Sequence, residues 1–300
     1  MSDRLDRRSF LLAGASAAVL AACGSSSKTA SSSSSGAPAT SSGGVSSSGG
    51  LTMVSFSDSS ALTPGIPQRL TFGFADADGV IGTTPPASIV DFKVVLGQDT
   101  VATLKAAAHQ EGLPRPYYPV VFTPPSDGDY TVNATVNGAT LQSTIQIPKS
   151  TSVVGIGQKM VPVDTPTTAD LHGVELLCTR DPVCPLHDVT LTNALGGGTP
   201  VAFFVGTPKY CQTAICGPVL DVVLQQKDQF PQIKMLHAEV YPSDADAQPG
   251  HQQVTEAVKA YGLSFEPVLY LAKPDGTISN RIDTIFDGVE LHDALAQLVS

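Results

Sequence analysis

The 300-residue sequence predicts an all-β sandwich followed by an α/β domain, and three observations carry that division. Apolar residues alternate with period two from about Leu51 to Pro148, the spacing of strands with one buried face. Beyond about residue 170, apolar runs of strand length alternate with segments of helical spacing, the mark of an α/β sheet. Ahead of the first strand and between the two patterns, the composition shifts to small, polar and proline residues, which bury too little to build a core.

Residues 1–22 read as an export signal. Arg7-Arg8-Ser9-Phe10-Leu11 is a twin-arginine pattern, an apolar run reaches Leu20, and Leu20-Ala21-Ala22-Cys23 has the small residues of a lipobox. The apolar run is shorter than the ~20 residues that a membrane span needs. The expectation is a lipid anchor on Cys23 at the extracytoplasmic face of the cell membrane, with residues 23–50, almost all Ser, Gly, Ala and Thr, as a flexible tether. Removing 1–22 takes three Arg and two Asp from 17 basic and 27 acidic side chains, which leaves 14 against 25 and a net charge of −11. A chain this acidic is repelled by nucleic acid, which is excluded as a partner.

Residues 51–148 have the size of one sandwich domain. Leu70, Phe72 and Phe74 share a face, as do Phe92, Val94 and Leu96, and Tyr130, Val132, Ala134 and Val136. Asn137-Gly138 between two alternating runs signals a two-residue hairpin. Asp76, Asp78 and Gly79 lack the bidentate Glu of a calcium loop and read as turn chemistry, and His109 reads as packed or solvated. Ser126-Asp127-Gly128-Asp129-Tyr130-Thr131-Val132 resembles the penultimate-strand entry of immunoglobulin-like and fibronectin-like sandwiches, which implies a tyrosine hydroxyl tied to the preceding corner.

Residues 149–170, rich in Pro, Thr and Gly, read as the connection to a domain at 171–300. Val201 to Val205 is wholly apolar, the pattern of a strand buried on both faces. Gly206-Thr207-Pro208 breaks it, and Cys211 and Cys216 then flank four residues ahead of Gly217-Pro218 and the helical run Val219 to Leu224. Unpaired N–H groups at a helix start favour a thiolate there. Ile233 to Val240 is the next strand, and Val254, Ala257, Val258 and Tyr261 recur at helical spacing until Gly262. Pro267 to Leu271 and Thr277 to Ile282 are joined by a turn at Lys273-Pro274-Asp275-Gly276. Asp287 before Glu290 then resembles a capping box opening the last helix. Cys178 and Cys184, in an irregular segment with Pro182 and Pro185, are expected to form a structural disulfide, as an oxidising compartment permits, with His187 beside them capping or packing.

That order of elements, with Tyr210-Cys211 after the first strand, Pro218-Val219-Leu220-Asp221 in the first helix and Glu266-Pro267 opening the third strand, resembles the thioredoxin superfamily, in particular its membrane-tethered, extracytoplasmic branch. The resemblance covers about Asp188 to Val299. It implies an α/β thioredoxin-like domain in which Cys211 attacks, Cys216 resolves and Pro267, as the family's cis-proline, shapes the partner-binding edge. Exported protein thiols and disulfides, or a membrane redox partner, would be its substrates, with no cofactor. The family has two residues between its cysteines, and this chain has four. In a continuous helix that step rises ~7.5 Å and turns ~140°, placing the Cα atoms about 8.6 Å apart, beyond the ~7 Å limit of a disulfide. Either 212–215 is not helical in the oxidised form, or the helix unwinds to close the pair. Three alternatives stand beside thiol-disulfide exchange. A C-x4-C pair with Thr207-Pro208 resembles one branch of the peroxiredoxins, although Thr207 is one residue out of place and no arginine lies near Pro267. Two thiolates with His237 suit cuprous ion and copper delivery; zinc is not expected, because Cys178 and Cys184 lack a second matching pair in sequence. A structural disulfide in a non-catalytic binding module is the last.

Overall fold

The computed structural model describes residues 47, 48, 50–251 and 253–300. The expected signal peptide, Cys23 and nearly all of the tether lie outside the described residues. The chain is mainly β, with a sandwich followed by a region that adds a few helices to a mixed sheet. No helix among the described residues is long and apolar enough to cross a membrane.

The sandwich is built from β1 (Ser47–Ser48), β2 (Leu51–Ser55), β3 (Gln68–Asp76), β4 (Gly79–Val80), β5 (Ile89–Leu96), β6 (Asp99–Ala107), β7 (Tyr118–Phe122), β8 (Gly128–Val136) and β9 (Ala139–Ile147). One sheet runs β1-β2-β3-β4 with β7 also paired to β3, and the other runs β6-β5-β8-β9. It begins inside the expected tether, because Ser47 and Ser48 pair with Thr52 and Leu51. The inward faces are the alternating sets read from the sequence. Leu70, Phe72, Phe74, Phe92, Val94, Tyr130, Val132, Ala134 and Val136 are all buried in one cluster, and Leu96, at the strand end, is only partly covered. Asn137 and Gly138 both have positive φ, which a two-residue turn between twisted strands requires. The Tyr130 hydroxyl donates to the Ser126 carbonyl at 2.6 Å, fixing the corner before β8.

The second region holds α1 (Leu191–Leu195), β10 (Val201–Val205), α2 (Cys216–Lys227), β11 (Lys234–Ala238), α3 (Glu256–Tyr261), β12 (Val268–Ala272), β13 (Ile278–Asp283) and α4 (Gly288–Leu298). Its sheet order is β11-β10-β12-β13, with β10 parallel to β11 and antiparallel to β12. The all-apolar run of β10 is explained by layers on both faces. Ala202 and Phe204 join the cluster of Val219, Val223 and Leu295 from α2 and α4, while Val201, Phe203 and Val205 join that of Ala257, Val258 and Tyr261 from α3. Truncating a ring such as Phe204 to Ala would cost about 3–5 kcal/mol.

Residues 149–170 carry no helix or strand, yet they are not free. Val153 and Met160 are buried, and Gly157, Met160 and Ile278 exchange backbone bonds across Gln158 and Gly276, which covers the β13 edge. Polar contacts join the sandwich to the second region. Arg69 donates to both carboxylate oxygens of Glu290 at 2.5 and 2.7 Å, Tyr117 donates to Glu290 at 2.6 Å, and His109 lies 2.9 Å from Asp287. His109 is therefore a partner of the N-cap of α4: the Asp287 hydrogen bond raises its pKa above the usual histidine range.

Candidate functional site

Strand β10 ends at Val205, and the Gly206-Thr207 turn delivers the chain to Cys211. Helix α2 begins at Cys216, so residues 211–215 form a turn rather than a helix, with Ala214 at φ 54°. This non-helical turn brings the Cα atoms of Cys211 and Cys216 to 5.9 Å, and the two are joined as a disulfide. Their exposure differs: Cys211 is half-buried and Cys216 is 0% exposed. The Cys216 backbone N–H donates to Cys211 Sγ at 3.3 Å, and Thr213 Oγ1 lies 3.3 Å from the same sulfur. Both are groups that stabilise a thiolate.

The sequence marks Glu266 only as the residue before Pro267, yet its Oε2 lies 3.5 Å from Cys216 Sγ. It reaches there because β10 and β12 pair antiparallel, Val205 opposite Val268, which sets the start of β12 beside the end of β10. Burial pushes its carboxyl up to about 7, although the Thr207 N–H donates to it at 2.5 Å. Pro267 is buried, follows a cis peptide bond, and sits against Gly206, where an added Cβ would stand 3.0 Å from the proline Cβ. A cavity of about 370 Å³ opens beside Cys211 and Glu266, with Tyr241, Leu263 and Phe265 among its walls. On the sandwich side, Arg115 Nη2 donates to the Thr213 carbonyl at 3.2 Å, a contact the sequence does not announce.

The second pair of cysteines corrects the sequence reading. A structural disulfide is expected between Cys178 and Cys184, and both are free thiols. The fold supplies each with an imidazole instead. Cys184 Sγ lies 3.2 Å from His187 Nε2 and 3.3 Å from His237 Nδ1, and Cys178 Sγ lies 3.7 Å from the same His237 nitrogen. The four donor atoms all lie within 4.8 Å of one another. His237 gathers with Cys178 and Cys184, whereas the group formed by Cys211 and Cys216 contains Glu266 and no histidine.

His237 is set by β11, whose parallel register places it opposite Phe204, and its Nε2 donates to the Gly206 carbonyl at 2.8 Å. That fixes the tautomer, because a carbonyl only accepts, and leaves Nδ1 facing the thiols. Buried Glu239 accepts from the Thr179 N–H at 2.6 Å and from its hydroxyl at 3.1 Å, which holds the segment after Cys178. A hydrogen bond from Cys184, aided by the two histidines, holds the Cys178 thiol far below its usual range, and Cys184 is pushed up in turn. Burial opposes charge on His237, yet Cys178 and Glu239 raise it overall.

No family model and no curated protein matches the chain. Among solved structures, the filamin domain of Lin-41 is 18% identical and covers 33% of this chain and 93% of its own, with a TM-score of 0.24. A superoxide reductase (neelaredoxin) from Ignicoccus hospitalis is 10% identical and covers 32% of this chain and 79% of its own, with a TM-score of 0.20. At those scores neither likeness carries an argument about this chain.

Proposed function

We propose that the second region is a thioredoxin-like domain and that Cys211 and Cys216 exchange disulfides with exported proteins, held at the extracytoplasmic membrane face by a lipid on Cys23. The observation that carries the reading is the asymmetric placing of the pair: Cys211 half-open beside a cavity, and Cys216 enclosed next to a protonatable carboxylate. From the oxidised form, a partner thiolate attacks Cys211 Sγ, the Cys211–Cys216 bond breaks, and the Cys216 sulfur leaves with its electron pair. Glu266, protonated over part of the neutral range, supplies the proton to that sulfur. A second partner thiolate then attacks the mixed disulfide and releases Cys211 as a thiolate steadied by the Cys216 N–H. Two electrons have passed from the partner dithiol to the pair, and the reverse sequence oxidises the pair and reduces a partner disulfide.

The mixed sheet with β10 parallel to β11 and antiparallel to β12, and Pro267 beside the loop that carries the pair, supports this assignment. The peroxidase alternative has less support, since the Thr207 hydroxyl accepts the Val240 N–H at 2.8 Å and is fully buried. Trapping tests the proposal. The Cys216→Ser chain should accumulate mixed disulfides on Cys211 with a peptide disulfide probe, read by mass spectrometry. Equal trapping by Cys211→Ser would reverse the roles, and oxidation by hydrogen peroxide outpacing every disulfide tried would replace exchange with peroxidase chemistry.

A further inference from the structure

We propose that Cys178, Cys184, His187 and His237 form a closed zinc site, separate from the Cys211–Cys216 pair and independent of the function proposed for it. The chemistry of the donors points to this metal: two thiolates and two imidazoles around one centre are a tetrahedral S2N2 set. Zn–S of about 2.3 Å and Zn–N of about 2.0–2.1 Å at a tetrahedral angle require sulfur-to-nitrogen separations of roughly 3.5 Å. Three of the four are 3.2, 3.3 and 3.7 Å, and all four donor atoms lie within 4.8 Å of one another.

Cys184 belongs to the apolar cluster under β10, and the polar partners around the four side chains are those of a ligand set. His237 turns one ring nitrogen to a backbone carbonyl and the other to both sulfurs, the outer-shell arrangement that orients metal-bound imidazole. His187 is 2% exposed, directs Nε2 at Cys184, and leaves Nδ1 buried with no hydrogen-bond partner among the described residues. No second hydrogen bond therefore holds that ring in place, and a cation on Nε2 would. The loop bearing the ligands is pinned at three points: Thr179 to Glu239, Arg180 to Asp221 at 2.7 Å, and the Leu186 carbonyl to the His237 N–H at 3.1 Å. Three donors are buried and only Cys178 is half-exposed, which gives an entry path and no open coordination position. A closed four-ligand site of this kind is structural, and ligand loss should appear as lost affinity and lost stability rather than as altered exchange chemistry.

The test uses the full mature chain with its Cys211–Cys216 disulfide intact, titrated with zinc against a chromophoric chelator and with cobalt(II) as a spectroscopic probe. One zinc per chain is expected, and cobalt should give the visible bands of a tetrahedral ion with sulfur-to-cobalt charge transfer. Cys184→Ala and His237→Ala should each lower zinc affinity by at least about 100-fold, beyond the 10–100-fold typical of outer-shell substitutions. Half-exposed Cys178→Ser serves where a buried substitution prevents folding, and the Cys211→Ser/Cys216→Ser double variant should bind as the parent does. Absence of one-to-one binding, of charge transfer in the unmodified protein, or of any loss in the ligand variants would overturn the proposal. A Cys178–Cys184 disulfide peptide found in protein handled without reductant would overturn it as well.

Discussion

The two cysteine pairs are spaced almost alike in the chain, yet the fold gives them opposite surroundings. Cys211 and Cys216 meet a helix-start N–H, a threonine hydroxyl and a carboxylate, while Cys178 and Cys184 meet two imidazoles. The first set stabilises a departing thiolate and handles its proton, which suits bond exchange. The second set offers lone pairs converging on one point, which suits a cation. The Gly206-Thr207 turn belongs to both: the Gly206 carbonyl fixes His237, and the Thr207 N–H donates to Glu266. The two pairs differ in their third and fourth groups, and those arrive from distant strands.

The largest expected effect separates the pairs by reactivity. Cys211→Ser should slow exchange with a peptide disulfide by roughly 10³-fold or more, because the attacked and attacking sulfur is removed. Cys178→Ser should change the same stopped-flow rate only a few-fold. Comparable losses in both would erase the distinction.

The second effect separates them by stability. Chelation of a zinc-loaded chain should lower its thermal midpoint, since a ligand at about 1,000 times its Kd stabilises the native state by about 4 kcal/mol. In Cys216→Ser the chelator-induced drop should be the same as in the parent. A midpoint that chelator leaves unmoved would take the metal out of the comparison.

The sequence reveals what is local. The run Val201–Val205, the cysteines after it, the Asn137-Gly138 hairpin and the Tyr130 corner are readable because each depends on neighbours within a few residues. The second site is not readable for the converse reason. His237 follows Cys184 by 53 positions and comes into contact only through the parallel pairing of β10 and β11. Compartment logic assigns Cys178 and Cys184 to a disulfide, and the one local signal against it is His187, three residues after Cys184. Glu266 escapes for the same reason, as its partner Cys216 is 50 residues earlier. The connection at 149–170 reads as a linker by composition, but Val153 and Met160, sparse as they are, find the uncovered edge of the mixed sheet.

A third effect concerns protons. The folded-state pKa of Glu266 is raised by burial to about 7, so between the unfolded carboxyl value and about 7 the native state binds more protons than the unfolded one. Its burial therefore lowers stability as pH rises through that window, and Glu266→Gln should flatten the dependence, measured by urea midpoints from pH 4 to pH 8. The same variant should slow reduction of the disulfide by roughly 100-fold at neutral pH, the lower end of what one general acid contributes. Zinc affinity should change far less than exchange, because Glu266 contacts Cys216 and reaches His237 only through its longer-range field. A Glu266→Gln chain with the parental pH dependence of stability and the parental rate of reduction would strip the carboxylate of this role.

The smallest effect should come from the sandwich. Arg115 lies between Pro114 and Pro116, each of which fixes its own φ. The segment is anchored on both sides, since Leu113 and Tyr117 are buried in the cluster that contains Val219 and Val222 of α2. Arg115 is thus presented from a rigid loop, and its bond to the Thr213 carbonyl restrains the turn between Cys211 and Cys216. A hydrogen bond of this kind is worth about 0.5–1.5 kcal/mol, or roughly 2- to 12-fold in an equilibrium. Arg115→Ala should accordingly speed reduction of Cys211–Cys216 by a small thiol within that range, and leave zinc affinity where it was. An unchanged reduction rate would mean that the sandwich does not restrain the exchange loop. An equal shift in zinc affinity would mean instead that the two cysteine pairs respond as one unit.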